Sequence, residues 1–452
     1  MRWLAACLAL IPGAALAHAS ERMVILTLPT GWYMLGAGIA VALTALAGLM
    51  AGRLPGFRAR VLFERRAILS RTTISWLAAF AFWSLIATGI WGTRDPLGNL
   101  LPLTVWTVLW VGLTLASILF GNLWRDIEPW TGPARTIRHL MARTGNVGLS
   151  HLCHWPAVAG YLGFAWFEIV SLSPADPLDL ARVAAGYYLL ILALAVLEGE
   201  DWLERGEFMT VYFAMVSRIA PFWAEHEETR VKTMAGLPGA QILRLPPLTP
   251  SAIAFVTLVL ASVSFDGLTE TFWWLARLGI NPLEFPGRSA VLGVNSAALL
   301  AFWTVSAALI LGAIRAGLPH ETFRQGVGAV MLSFLPIAAG YHVAHYFIAL
   351  LTNGQYAIAA LNDPFGRGWQ LLGLPDHWVS FGFLTTHSGV QMIWMAQFAV
   401  ILGAHLLAVL LNLKLTERFP EADGVRAHLP MTLLMIAYTV FGLWLLSSPT
   451  AG

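Results

Sequence analysis

The chain has 452 residues, 58% of them hydrophobic and 12% charged, with a net charge of +2 and a mean hydropathy of +0.69. A soluble domain carries about twice that charge fraction, so an ordinary soluble enzyme is excluded. The near-neutral balance gives no basis for nucleic-acid binding and leaves a helical bundle in lipid.

Arg2 precedes an apolar stretch over residues 3–16, and Ala15-Leu16-Ala17 is followed by the polar His18-Ala19-Ser20. This pattern predicts a cleavable signal peptide over 1–17 and a single integral-membrane domain over 18–452. A spanning helix takes about 20 mostly apolar residues, and about ten later runs qualify. They are 29–52, 72–93, 102–123, 151–172, 179–198, 249–270, 289–314, 325–351, 389–413 and 429–447. Lipid cannot satisfy free backbone groups, so each run must be a helix. The predicted fold class is all-α, a polytopic transmembrane helical bundle. Cys7 lies in the signal segment, which leaves Cys153 alone and no disulfide in the mature chain.

Loop charge sets the orientation. The loop after the first run holds Arg53, Arg58, Arg60, Arg65, Arg66 and Arg71. The next loop on that side holds Arg125, Arg135, Arg138 and Arg143, and the alternate loops are poor in cations. All basic loops fall on one side when there are ten spans. That places the protein in a bacterial inner membrane with its mature N-terminus and its C-terminus in the periplasm. Two loops are long. The inside loop 199–248 contains an apolar segment, 208–213, with the character of an interfacial helix. The periplasmic loop 352–388 contains Asp363-Pro364-Phe365-Gly366-Arg367-Gly368 and has the length of a lid.

Ionisable residues inside spans are costly and face the bundle interior. Asp266 and Glu270 lie four apart on the sixth run, His342 and His345 three apart on the eighth, and Glu168 on the fourth. At 1.5 Å per residue, Glu168, Asp266 and His342 each stand roughly 25 Å from the cytoplasmic end. His387 opens the ninth run on the same side, and His18 begins the mature chain there. Imidazoles and carboxylates at one depth suit a divalent metal ion such as zinc, manganese, iron or copper. The expected ligands are His342, His345, His387 and His18. Asp266 and Glu270 are the candidate catalytic residues, as ligand or general base for a metal-bound water. Axial haem ligation by the histidines and a structural polar cluster are the competing readings. His405 lies nearer the cytoplasmic side, where pairing with Gln397 or a backbone carbonyl accounts for it. Phosphate loops, nucleophile elbows and C-x-x-C-H motifs are absent.

Several segments resemble a family of bacterial membrane proteins known as fenitrothion hydrolases. They include Gly121-Asn122-Leu123-Trp124, Trp155-Pro156 with Phe167-Glu168, Arg205-Gly206-Glu207-Phe208 and Ser264-Phe265-Asp266-Gly267. Tyr341-His342-Val343-Ala344-His345-Tyr346, the 363–368 segment and Gly403-Ala404-His405 complete the set. The resemblance implies hydrolysis of organophosphate triesters at the aryl P–O bond. The expected partners are a hydrophobic small-molecule substrate entering from the lipid bilayer, and the bilayer itself. The alternative class is a metal- or haem-handling membrane protein, engaged in copper acquisition or respiratory assembly.

Overall fold

The computed structural model describes residues 30–51, 56–66, 69–227, 230–375, 378–419 and 424–450. The signal-peptide reading and His18 lie outside the described residues.

The chain is an all-α polytopic bundle. Among the described residues, nine helices are long and apolar enough to cross a membrane. They are α1 (Thr30–Met50), α2 (Arg71–Trp91), α3 (Leu100–Phe120), α6 (Pro177–Glu198), α8 (Pro250–Thr269), α9 (Leu292–Gly317), α10 (His320–Asn362), α11 (His387–Thr416) and α12 (Val425–Ser447). Between them, in chain order, come α4 (Thr131–Leu140), α5 (Trp155–Ile169) and α7 (Phe208–Val216). The fourth expected run forms only α5, whose 15 residues reach about 22 Å, less than a bilayer core. Pro156 opens this helix, and beyond its end Ser171 returns its hydroxyl to the Phe167 carbonyl before Pro174.

α10 occupies the centre, against α3, α8 and α11. It is longer than any membrane requires, and a 3-10 turn at Leu332–Phe334 with Pro336 just beyond divides it. Every residue from 335 to 344 is buried, whereas every residue from 345 to 356 is half-buried. The helix is therefore sealed on all sides up to Ala344 and partly exposed on every face immediately above it.

The basic-loop side carries two features that hydropathy did not anticipate. The 199–248 segment is not a loop. It supplies β2 (Phe222–His226) and β3 (Arg230–Gly236), which with β1 (Ala59–Arg66) form an antiparallel sheet in the order β1-β3-β2. The segment's α7 does not lie at an interface either, because Phe208, Val211, Tyr212 and Phe213 are all buried. Glu207 makes this insertion possible. Its carboxylate accepts from the free N–H groups of Met209 and Thr210 at the helix start and from the Tyr187 hydroxyl. On the opposite side α10 continues to Asn362, so the connection there begins only at Asp363. The Asp363 carboxylate accepts from the N–H groups of Arg367 and Gly368, closing the turn.

One close approach fixes α12 against α10. The Tyr341 hydroxyl donates to the Tyr438 carbonyl at 2.6 Å, and a Cβ at Gly442 would stand 1.4 Å from that oxygen. Gly442→Ala is expected to destabilise the protein by about 1–3 kcal/mol through overpacking. The readout is the thermal unfolding midpoint in detergent, and an unchanged midpoint would refute the contact.

Candidate functional site

Three helices bring polar side chains to one depth. The His154 N–H donates to Ser251 Oγ, so α5 and α8 start level. The Leu248 N–H donates to the Gly328 carbonyl, which sets α10 in the same frame. From that plane Glu168, Asp266 and His345 each lie roughly 20–25 Å along their helices.

At that depth they meet. His345 Nε2 stands 2.9 Å from Asp266 Oδ2. The Tyr346 hydroxyl lies 2.8 Å from the same Asp266 oxygen and 2.9 Å from Glu168 Oε1. The side chains of His345 and Asp266 are 18% and 13% exposed, so the pair is reachable rather than sealed. It sits where α10 changes from buried to open.

Hydrogen-bond capacity fixes where the protons are. A carboxylate oxygen only accepts, so His345 Nε2 carries a proton and donates it to Asp266. A hydroxyl has one proton and cannot donate to two carboxylates at once. With Tyr346 donating to Asp266, the Glu168 contact is a hydrogen bond only when Glu168 is itself protonated and donates to the Tyr346 oxygen. The chain of donors then runs from Glu168 through Tyr346 to Asp266, with His345 donating from the other end. His345 Nδ1 finds no partner among the described residues. It lies against α8 at Gly267, where a Cβ would stand 3.5 Å from Nδ1 and from Cε1.

The surrounding charges include two that extend the cluster. Glu270, exposed at the end of α8, acts electrostatically with Asp266, His345 and Arg288. Arg288 donates to the carbonyls of Glu168 at 2.7 Å and Ser171 at 3.1 Å. It anchors the outer end of α5 and supplies a cation beside the carboxylates.

The other expected residues go elsewhere. His342 is fully buried, and its Nε2 donates to the Trp110 carbonyl at 2.6 Å. That carbonyl is open because residues Thr104–Leu113 of α3 form a π-helix. Where the π-helix ends, the Thr114 N–H turns to Val111 and leaves the Trp110 oxygen to the Thr114 hydroxyl and His342. With its proton on Nε2, His342 keeps a lone pair on Nδ1, which is buried and has no partner among the described residues. His387 is exposed in the first turn of α11 and makes no hydrogen bond to the cluster. His405 donates from Nδ1 to the Ile401 carbonyl at 2.9 Å, not to Gln397. Gln397 donates instead to the Ala344 carbonyl. The Nε2 of His405 is buried without a partner among the described residues.

The expected metal donors are thus divided between Trp110 on one side of α10 and Asp266 on the other. Among the described residues, no three His, Cys, Asp or Glu side chains gather at metal-ligand spacing. As arranged, His342 and His345 do not converge on one point. Tyr346 and Arg288 carry the cluster with Asp266, His345 and Glu168, and neither stood out in the sequence. The available signal for Tyr346 was a phenol in mid-span, whose polar tip needs a partner. Arg288 was hidden in an outer loop that reads as cation-poor. No protein-family model, curated protein or solved structure matches the chain.

Proposed function

We propose that the protein is a membrane-embedded hydrolase of hydrophobic esters; the phosphotriester class rests on the resemblance to the fenitrothion hydrolases. The observation that carries the reading is the contact of His345 with Asp266, linked through Tyr346 to Glu168, at the floor of the open half of α10. A buried acid–imidazole pair whose second ring nitrogen is free has the parts of a general base. Asp266 orients the ring, keeps the proton on Nε2 and stabilises the imidazolium that forms. His345 Nδ1 takes a proton from water. The water oxygen forms a bond to phosphorus as the aryl P–O bond breaks, and the nitrophenolate leaves with the electron pair. The basic-loop side faces the cytoplasm on this reading, and the site opens to the periplasm.

Tyr346→Phe separates Glu168 from the pair while keeping the ring. Its kcat for a nitrophenyl phosphotriester is expected to fall about ten-fold, the worth of one hydrogen bond to a charged group. Nitrophenolate release by protein in lipid nanodiscs measures this. A wild-type protein that turns over no aryl ester would remove the reading altogether.

A second reading, metal or haem handling, is favoured by the two buried imidazole lone pairs, at His342 Nδ1 and His405 Nε2. A Soret band, or stoichiometric copper or another divalent metal lost in His342→Ala, would support it in place of hydrolysis.

A further inference from the structure

A cavity of about 840 Å³ lies between α2, α3, α5 and α6, beside the cluster. Small residues make the room: Ala78 and Ala81 on α2, and Ala159, Gly160 and Gly163 on α5. A Cβ added at Gly163 would meet no other atom within 4 Å. The lining on α6 runs from Leu180 to Leu194, so the cavity extends roughly 20 Å along the helix axis. Trp124, Trp130 and Trp202 line its inner end. Its rim is exposed at Leu77, Val183 and Leu190, whereas Ile191, Trp202 and Phe208 are buried behind. At the outer end the lining reaches Phe167, the neighbour of Glu168.

We propose that this cavity binds one long hydrocarbon chain lying along the bundle axis, and that the chain belongs to the enzyme's lipid-like substrate. The length, the apolar lining and the exposed rim at Leu77, Val183 and Leu190 all match a chain entering sideways from the bilayer. A recess of this size lined mostly by aliphatic and aromatic groups offers water few partners. No charged group lines it, so the polar end of the molecule must lie outside. The outer end stops at Phe167, one residue from Glu168. The assignment to substrate rests on the hydrolase reading; the chain-binding site does not.

The test uses the full-length protein in nanodiscs containing a phospholipid with a photoactivatable diazirine in its long acyl chain. Peptide mapping after illumination is expected to show labelling of the inner faces of α5 and α6 about ten-fold above the lipid-facing surface of α9. Gly163→Trp, which fills the recess, is expected to lower that labelling about five-fold. Gly186→Trp, on the exposed face of α6, should leave it unchanged. Labelling no denser than on α9, or undiminished in a folded Gly163→Trp variant, overturns the binding site. The wild type alone provides a second arm. An unlabelled hexadecyl nitrophenyl phosphotriester should protect the cavity, and its methyl counterpart should not. Equal protection by both, with labelling intact, overturns the assignment of the chain to substrate. A labelled cavity in a protein without ester turnover overturns the hydrolase reading and leaves the chain site standing.

Discussion

His345→Ala is expected to reduce aryl-ester hydrolysis by about a thousand-fold, within the range for loss of a positioned general base. The imidazole Nδ1 makes no hydrogen bond among the described residues and is the group proposed to take the proton. Asp266 accepts two hydrogen bonds on one oxygen, and Glu168 is engaged through Tyr346. Removing the ring takes away the proposed proton acceptor and leaves only the Asp266 and Glu270 carboxylates, which are weaker bases. The variant should still fold, because Asp266 keeps its bond from Tyr346. Nitrophenolate release in nanodiscs is the measurement, with thermal unfolding as the control. His342→Gln sharpens the result. A glutamine amide can still donate to the Trp110 carbonyl, so the acid–base reading expects most activity to survive. A metal centre held by both histidines would lose activity equally in the two variants. Wild-type rates in His345→Ala would end the proposed mechanism.

Asp266→Ala is expected to show the largest loss of stability, about 3–5 kcal/mol, as is usual when one partner of a buried pair is removed. Its carboxylate accepts both the His345 N–H and the Tyr346 hydroxyl, and alanine would strand both donors among buried neighbours. Asp266→Asn retains an oxygen that can accept from His345 and should lose much less. The two variants compared by unfolding in detergent separate the acceptor's contribution from that of the charge. Equal stability of Asp266→Ala and wild type would mean that the contact is not made in the membrane.

Most of the fold was legible because lipid leaves a spanning segment no alternative to a helix. Nine of the apolar runs became such helices, with ends shifted by a few residues except that α10 runs on from 351 to Asn362. Two features were not legible, for different reasons. α7 has nine residues, too few to register as a span, and its insertion depends on Glu207 satisfying the helix start. β1 lies within Ala59–Arg66, whose charges read as topology markers and masked an extended segment pairing with residues far along the chain. The site was legible in depth and not in direction. Counting residues at a fixed rise put Glu168, Asp266 and His342 at one level, with His345 one turn beyond. It could not say which neighbour each would face. Residues three apart on a helix differ by about 60° around its axis. That rotation is enough to send His342 to the π-helical carbonyl of Trp110 and His345 to Asp266.

The change at Ala344 from a sealed to an open helix also has an electrical consequence. Dry protein and lipid resist ions, whereas a water-reachable funnel conducts them. Where water fills the open half, a transmembrane voltage would fall mainly across the closed lower half, between the basic face and the cluster. A charge moved through the whole field would change in energy by about 2.3 kcal/mol per 100 mV. A proton reaching His345 from the open side crosses only a small part of that drop. On the proposed hydrolase reading, with water filling the open half, the proton transfers would be electrically close to the outer solution and turnover would depend little on membrane potential.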